Sequence, residues 1–74
     1  MKNLDKIRRS IGDTTFDHIA SLDKEGLENQ LEALLDEEKY LLACKKDTDL
    51  KHIWAEFWPK LQDEKWFLMY RLGW

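Results

Sequence analysis

Four carboxylates, Glu25, Glu28, Glu32 and Asp36, recur at helical intervals and fall in one narrow stripe when the chain is wound at 100° per residue. A row of one sign can steer a basic partner, or imitate the phosphates of a nucleic acid backbone. The plainer alternative is a solvated helix face helped by Lys39. Other reactive residue types lack companions. Asp49, His52 and Glu56 share one outer helix face, as metal ligands would. Dimetal bundles, however, take such carboxylate-x-x-His pairs from two helices, and no second pair occurs. His18 has no triad partner, the three glycines are isolated, and there is no nucleophile elbow or phosphate loop. Cys44 stands beside Lys45 and Lys46, cations that can activate a thiol, but it reads first as a small packing residue. The expectation is a protein that is not an enzyme, with no catalytic residues, no metal and no cofactor.

Large rings offer the other chemistry, that of binding. Of the nine aromatic residues only Phe16 precedes Tyr40. Leu50, Ile53, Trp54, Phe57, Trp58 and Leu61 recur at helical spacing, which predicts Trp54 and Phe57 in the core, and Trp66, Phe67, Leu68, Met69 and Tyr70 follow as an unbroken apolar run. That run is apolar on too many sides for a simple surface helix, and one reading of it is a central, fully buried helix of the core. Yet a chain of 74 residues can hardly surround one helix completely, so part of Trp66, Tyr70 or Trp74 is expected to stay accessible beside Arg71. Exposed aromatics with an arginine are the makings of a protein interface.

The elements that position these groups are all helical. Asn3 caps a first helix with Leu4, Ile7 and Ile11 on one face, and Gly12 ends it. Asp13, Thr14 and Thr15 restart the chain as a second helix with Phe16, Ile19 and Ala20 inward. Asp23 caps the longest helix, with Leu22 and Leu27 as a hydrophobic staple and Gly26 a weak point in its first turn. Along it Leu27, Leu31, Leu34, Leu35, Leu41 and Leu42 form one face. Glu38 falls near the centre of that face, where an unpaired carboxylate is costly. It is expected either to pair with Arg8 or Arg9 from another helix, or to mark a gap in the face. Lys45 and Lys46 suit the helix end, and Asp47, Thr48 and Asp49 turn the chain into a helical hairpin. A fourth helix is predicted from about Asp49 to Trp58, with a sharp change of direction at Pro59. Asp63 then caps a last one through Arg71, closed by Gly73. The fold class is therefore all-α, a small bundle of four to five short helices with a central helical hairpin and an aromatic-rich C-terminal helix, in one domain over 1–74.

Charge and length bound the partners. The net charge is −3, but between Asp23 and Glu38 seven acids face the single base Lys24, a local −6 that leaves +3 for the rest. So small a core usually needs a staple, and one cysteine forms no internal disulfide; a partner, or a second copy of the chain, is the remaining means. A lone thiol, and charged residues where a signal peptide would carry its apolar core, read as cytoplasmic. No apolar run is long enough to span a membrane, and no helix gathers the Lys/Arg face that direct nucleic acid binding requires.

Ile7-Arg8-Arg9-Ser10, Thr15-Phe16-Asp17-His18-Ile19 and Trp66-Phe67-Leu68 resemble stretches of the Hha/YmoA modulators of nucleoid proteins. The Ala-Asp-His-Arg segment of that family's middle is missing here. The resemblance implies a small helical partner of a nucleoid protein. The residues themselves read first as a non-enzymatic protein–protein interaction module, such as a small inhibitor, antitoxin-like or adaptor protein. It would meet a protein of basic surface through Glu25, Glu28, Glu32 and Asp36 and through Trp66, Tyr70, Arg71 and Trp74. The alternative is a transcription-associated regulator acting on a basic nucleoid or DNA-binding protein, or by DNA mimicry.

Overall fold

The computed structural model describes residues 3–74, which form four helices: α1 (Leu4–Ile11), α2 (Asp13–Ser21), α3 (Lys24–Lys46) and α4 (Lys51–Leu72). No strand occurs among the described residues. Met1 and Lys2, which open the stretch read as lacking a signal-peptide core, lie outside them. The first three starts follow local chemistry. The Asn3 side chain accepts from the Asp5 N–H at 2.7 Å and the Asp23 Oδ1 from the Gly26 N–H at 2.8 Å, each satisfying a donor that the first turn leaves free. Gly26 has a steric reason as well, since a Cβ there would come within 3.0 Å of Leu22 Cδ2 in the staple.

Gly12 serves both α1 and α2. At φ 91° and ψ 152° it donates to the Arg8 carbonyl at 2.8 Å and accepts from the Phe16 N–H at 2.9 Å, so it caps one helix and opens the next. It therefore displaces Asp13, Thr14 and Thr15 from the capping role, and they lie within the first turn of α2. That backbone region belongs essentially to glycine. Gly12→Ala is expected to lower stability by about 1–3 kcal/mol although a methyl group meets nothing within 4 Å. An unchanged urea midpoint for the variant would contradict this account of the joint.

α3 and α4 form the antiparallel hairpin, turned at residues 47–50 with the Asp47 Oδ1 accepting from the Asp49 N–H at 2.9 Å. α4 differs from the sequence expectation at its start and at Pro59. It starts after Leu50 with no side-chain cap, and it continues through Pro59 to Leu72 as one helix, so the helix end near Trp58 and the new start capped by Asp63 do not occur. The proline ring removes the bond to the Ala55 carbonyl, but Ala55 and Pro59 are both exposed, and water can satisfy that oxygen. Packing of Trp54, Trp58 and Leu61 holds the helix across the gap.

The core gathers Ile7, Phe16, Ile19, Leu27, Leu31, Leu34, Leu41, Leu61, Phe67 and Leu68. The Phe16 and Phe67 rings stack with centroids 4.4 Å apart, and the Arg8 guanidinium covers the outer side of Phe16 at 4.3 Å. Being short, α1 and α2 cover only part of a molecule 38 Å long, and toward the turn Tyr40, Leu42, Leu50 and Phe57 are left exposed. The inward faces are accordingly narrower than the 100° spacing suggests. Leu35 and Leu42 lie outside the leucine seam, and Ala20, in the last turn of α2, is exposed with its carbonyl turned toward α4. Phe57 is 47% exposed and is not a core residue. Trp54 is half-buried, with its indole N–H buried and unpartnered and the Lys45 ammonium 5.0 Å over its ring. Cys44, set off the leucine face by its spacing, is buried, because α4 overlaps that flank of α3. It packs in the interior, and the neighbouring Tyr40 hydroxyl is pushed up by a hydrogen bond to its thiol. No described helix is long and apolar enough to cross a membrane.

Candidate functional site: the aromatic end of the last helix

Trp66 and Tyr70 stand one turn apart on α4, and their rings stack at 5.3 Å with planes 14° from parallel. The chain then ends its helix in a left-handed residue, Gly73, at φ 79° and ψ 23°. Its N–H donates to the Tyr70 carbonyl at 3.1 Å, and the Trp74 N–H donates back to the Met69 carbonyl at 2.9 Å. This is a Schellman closure, whose usual companion is an apolar contact between the residue after the glycine and the one five before it. Trp74 and Met69 take those places, and with Trp66 and Tyr70 they line an open groove of about 310 Å³. Gly73 thus folds the terminal tryptophan back beside the stacked pair. The patch stays in water: Tyr70 is 53% and Trp74 70% exposed, whereas Trp66 and Met69 are half-buried against the core.

The remaining predicted contact residues do not share this surface. Arg71 is exposed, but its Nη2 donates to the Ala20 carbonyl at 2.9 Å, tying α2 to α4. Glu25, Glu28, Glu32 and Asp36 are all exposed and make no ion pair or hydrogen bond among the described residues. They occupy the side of α3 opposite Leu27 and Leu34, and so face away from α4. On α4, Trp54, Leu61 and Lys65 face α3, and Tyr70 lies half a helical turn from Leu61. The acidic stripe and the aromatic patch therefore stand back to back across the hairpin, and one flat partner surface cannot cover both.

Glu38 is paired from another helix, though not by Arg8 or Arg9. Its Oε2 accepts from Gln62 Nε2 at 2.8 Å and Lys65 Nζ at 3.2 Å, because α4 runs alongside it while Arg8 is turned to Asp13, Asp17 and the Phe16 ring. The hydrogen bond from Gln62 is the main cause holding its carboxyl below the usual 4.5; burial works the other way, and Lys65 adds to the lowering. A depressed folded pKa means stability present above the ordinary glutamate range and lost as pH falls through the folded value. With its side chain 19% exposed, Glu38→Ala is expected to cost about 1–2 kcal/mol at neutral pH. The difference between variant and parent should shrink on acidification. Urea midpoints of the two proteins that stay equally far apart down to about pH 3 would show that this carboxylate is not the titrating partner.

Among the described residues no group of three His, Cys, Asp or Glu side chains could hold a metal ion, Asp49, His52 and Glu56 included. Met69 is absent from the contact set read from the sequence, since a methionine inside an apolar run carries no mark of exposure. Compared with protein-family models, with curated proteins and with solved structures, the chain matches none. The resemblance to the Hha/YmoA modulators rests on its short stretches alone.

Proposed function

We propose that this protein is a non-enzymatic protein–protein interaction module that anchors its partner on Trp66, Met69, Tyr70 and Trp74. The observation that carries the reading is Trp74, a tryptophan 70% exposed whose backbone is held by the Schellman bonds at Gly73. Apolar side chains left in water without purpose are a liability, and a large ring on a fixed backbone gives contact area at a reduced entropic cost. Aromatic anchors of this kind dominate the binding energy of interfaces. A small inhibitor, antitoxin-like or adaptor protein would use such a surface.

The acidic stripe supports a basic protein partner more than nucleic acid mimicry. Its four charges extend over about 16 Å of helix, one per about 5 Å. A duplex carries one per about 1.7 Å, so the stripe has roughly a third of that density. It suits long-range steering, while the patch on the other side supplies the anchor. Kinetic binding curves with the partner test this division: charge reversal at Glu28 and Glu32 should slow association and flatten its salt dependence, leaving dissociation nearly unchanged. Unchanged association at low salt would make the stripe a solvated face.

A further inference from the structure

The turn end of the hairpin holds a second groove, of about 320 Å³, between α3 and α4. Leu41, Ile53 and Leu61 form its floor, and Tyr40 from one helix and Phe57 from the other line it as exposed rings. Unlike the aromatic patch, it is also charged, by Glu37, Glu64 and Lys60. Glu64 is half-buried, and its polar contact is a long one of 3.4 Å from Gln30. Burial holds its carboxyl above the usual range; the charge of Glu37 adds to this, and Gln30 and His18 oppose it. Neither Glu37 nor Lys60 makes a hydrogen bond or ion pair among the described residues.

We propose that this groove docks a basic amphipathic helix of a partner protein, seating an apolar side chain on Leu41, Ile53 and Phe57 and a lysine or arginine between Glu37 and Glu64. Charge complementarity selects the occupant. Two carboxylates face the groove against one ammonium, and an arriving cation relieves their mutual repulsion, whereas an acidic segment would add to it. The aromatic walls favour the same ion, since a cation is attracted to a ring face. The volume lies at the low end for a binding pocket and suits one or two side chains of a helix laid along the hairpin. At the other end of the molecule α1 and α2 already cover α4 in this way with Phe16 and Ile19.

The inference rests on the reading of the chain as a binding module but uses a different surface from the aromatic patch. An amide NMR titration of the full chain tests it, with a leucine–lysine amphipathic peptide and a leucine–glutamate peptide of equal length as probes. Saturable shifts at Tyr40, Leu41, Ile53, Phe57 and Glu64 are expected with the basic peptide and none with the acidic one. Phe57→Ala and Glu37→Lys, both at exposed positions, should each weaken binding about tenfold while the protein stays folded at the temperature of the titration. Shifts confined to the stripe or to residues 66–74, equal binding of both peptides, or saturation by free arginine amide in place of the peptide would overturn it. Weakening by Trp74→Ala with none by Phe57→Ala would overturn the groove and leave the patch standing. The opposite pattern would uphold the groove.

Discussion

Phe67→Ala is expected to bring the protein close to unfolding, at a cost of about 3–5 kcal/mol. Phe67 is 1% exposed and is the ring on which Phe16 stacks, so its removal opens a cavity where α2 meets α4. The loss reaches further than one side chain. Phe16 is held between Phe67 and the Arg8 guanidinium, and without the inner ring the contact that joins α1 and α2 to the hairpin loosens. A domain of this size has roughly 5 kcal/mol of stability or less to lose. Helical circular dichroism during a thermal melt reads the effect directly. Phe57→Ala provides the contrast: its ring is largely in water, and the change in stability should stay within about 1 kcal/mol. Equal melting of Phe67→Ala and the parent would contradict the assignment of the core.

What the sequence made legible here is what local chemistry decides. Asn3, Gly12 and Asp23 bound their helices because a side-chain oxygen or a free φ acts within one turn, and Gly73 closes the last helix for the same reason. Features that depend on which helix covers which were not legible. Phe57 shares the spacing of true core residues and is exposed only because α1 and α2 are too short to reach it. Pro59 is tolerated within α4 where Ala55, whose carbonyl it leaves without a helical donor, is exposed, and Glu38 finds Lys65 because of the register of the hairpin. Within the candidate site, Trp66, Tyr70 and Trp74 stood out as residue types. That Arg71 turns toward α2, and that the stripe lies on the far side of the hairpin, follows from the rotation of α3 and α4 about their own axes.

Trp74→Ala is expected to weaken partner binding by about 2 kcal/mol or more, close to thirtyfold, and to do so through faster dissociation. The ring is the most exposed of the large apolar side chains described and contributes little to the folded core, so its value lies in what it meets outside. Tyr70→Ala should act in the same sense but not additively, because the two rings line one groove and Tyr70 also supports Trp66. Gly73→Ala offers a check that removes no ring. The left-handed backbone at this position disfavours a Cβ, so Trp74 would leave its place beside Met69, and dissociation should quicken.

The most direct test pairs two readings on one protein, the double variant Tyr70→Ala/Trp74→Ala: its melting temperature, and its dissociation rate from the protein that the immobilised parent chain retains. An anchor surface predicts a melting temperature close to the parent's together with dissociation faster by more than tenfold. A melting temperature lowered by several degrees with dissociation unchanged would place the aromatic end in the core and the interface elsewhere.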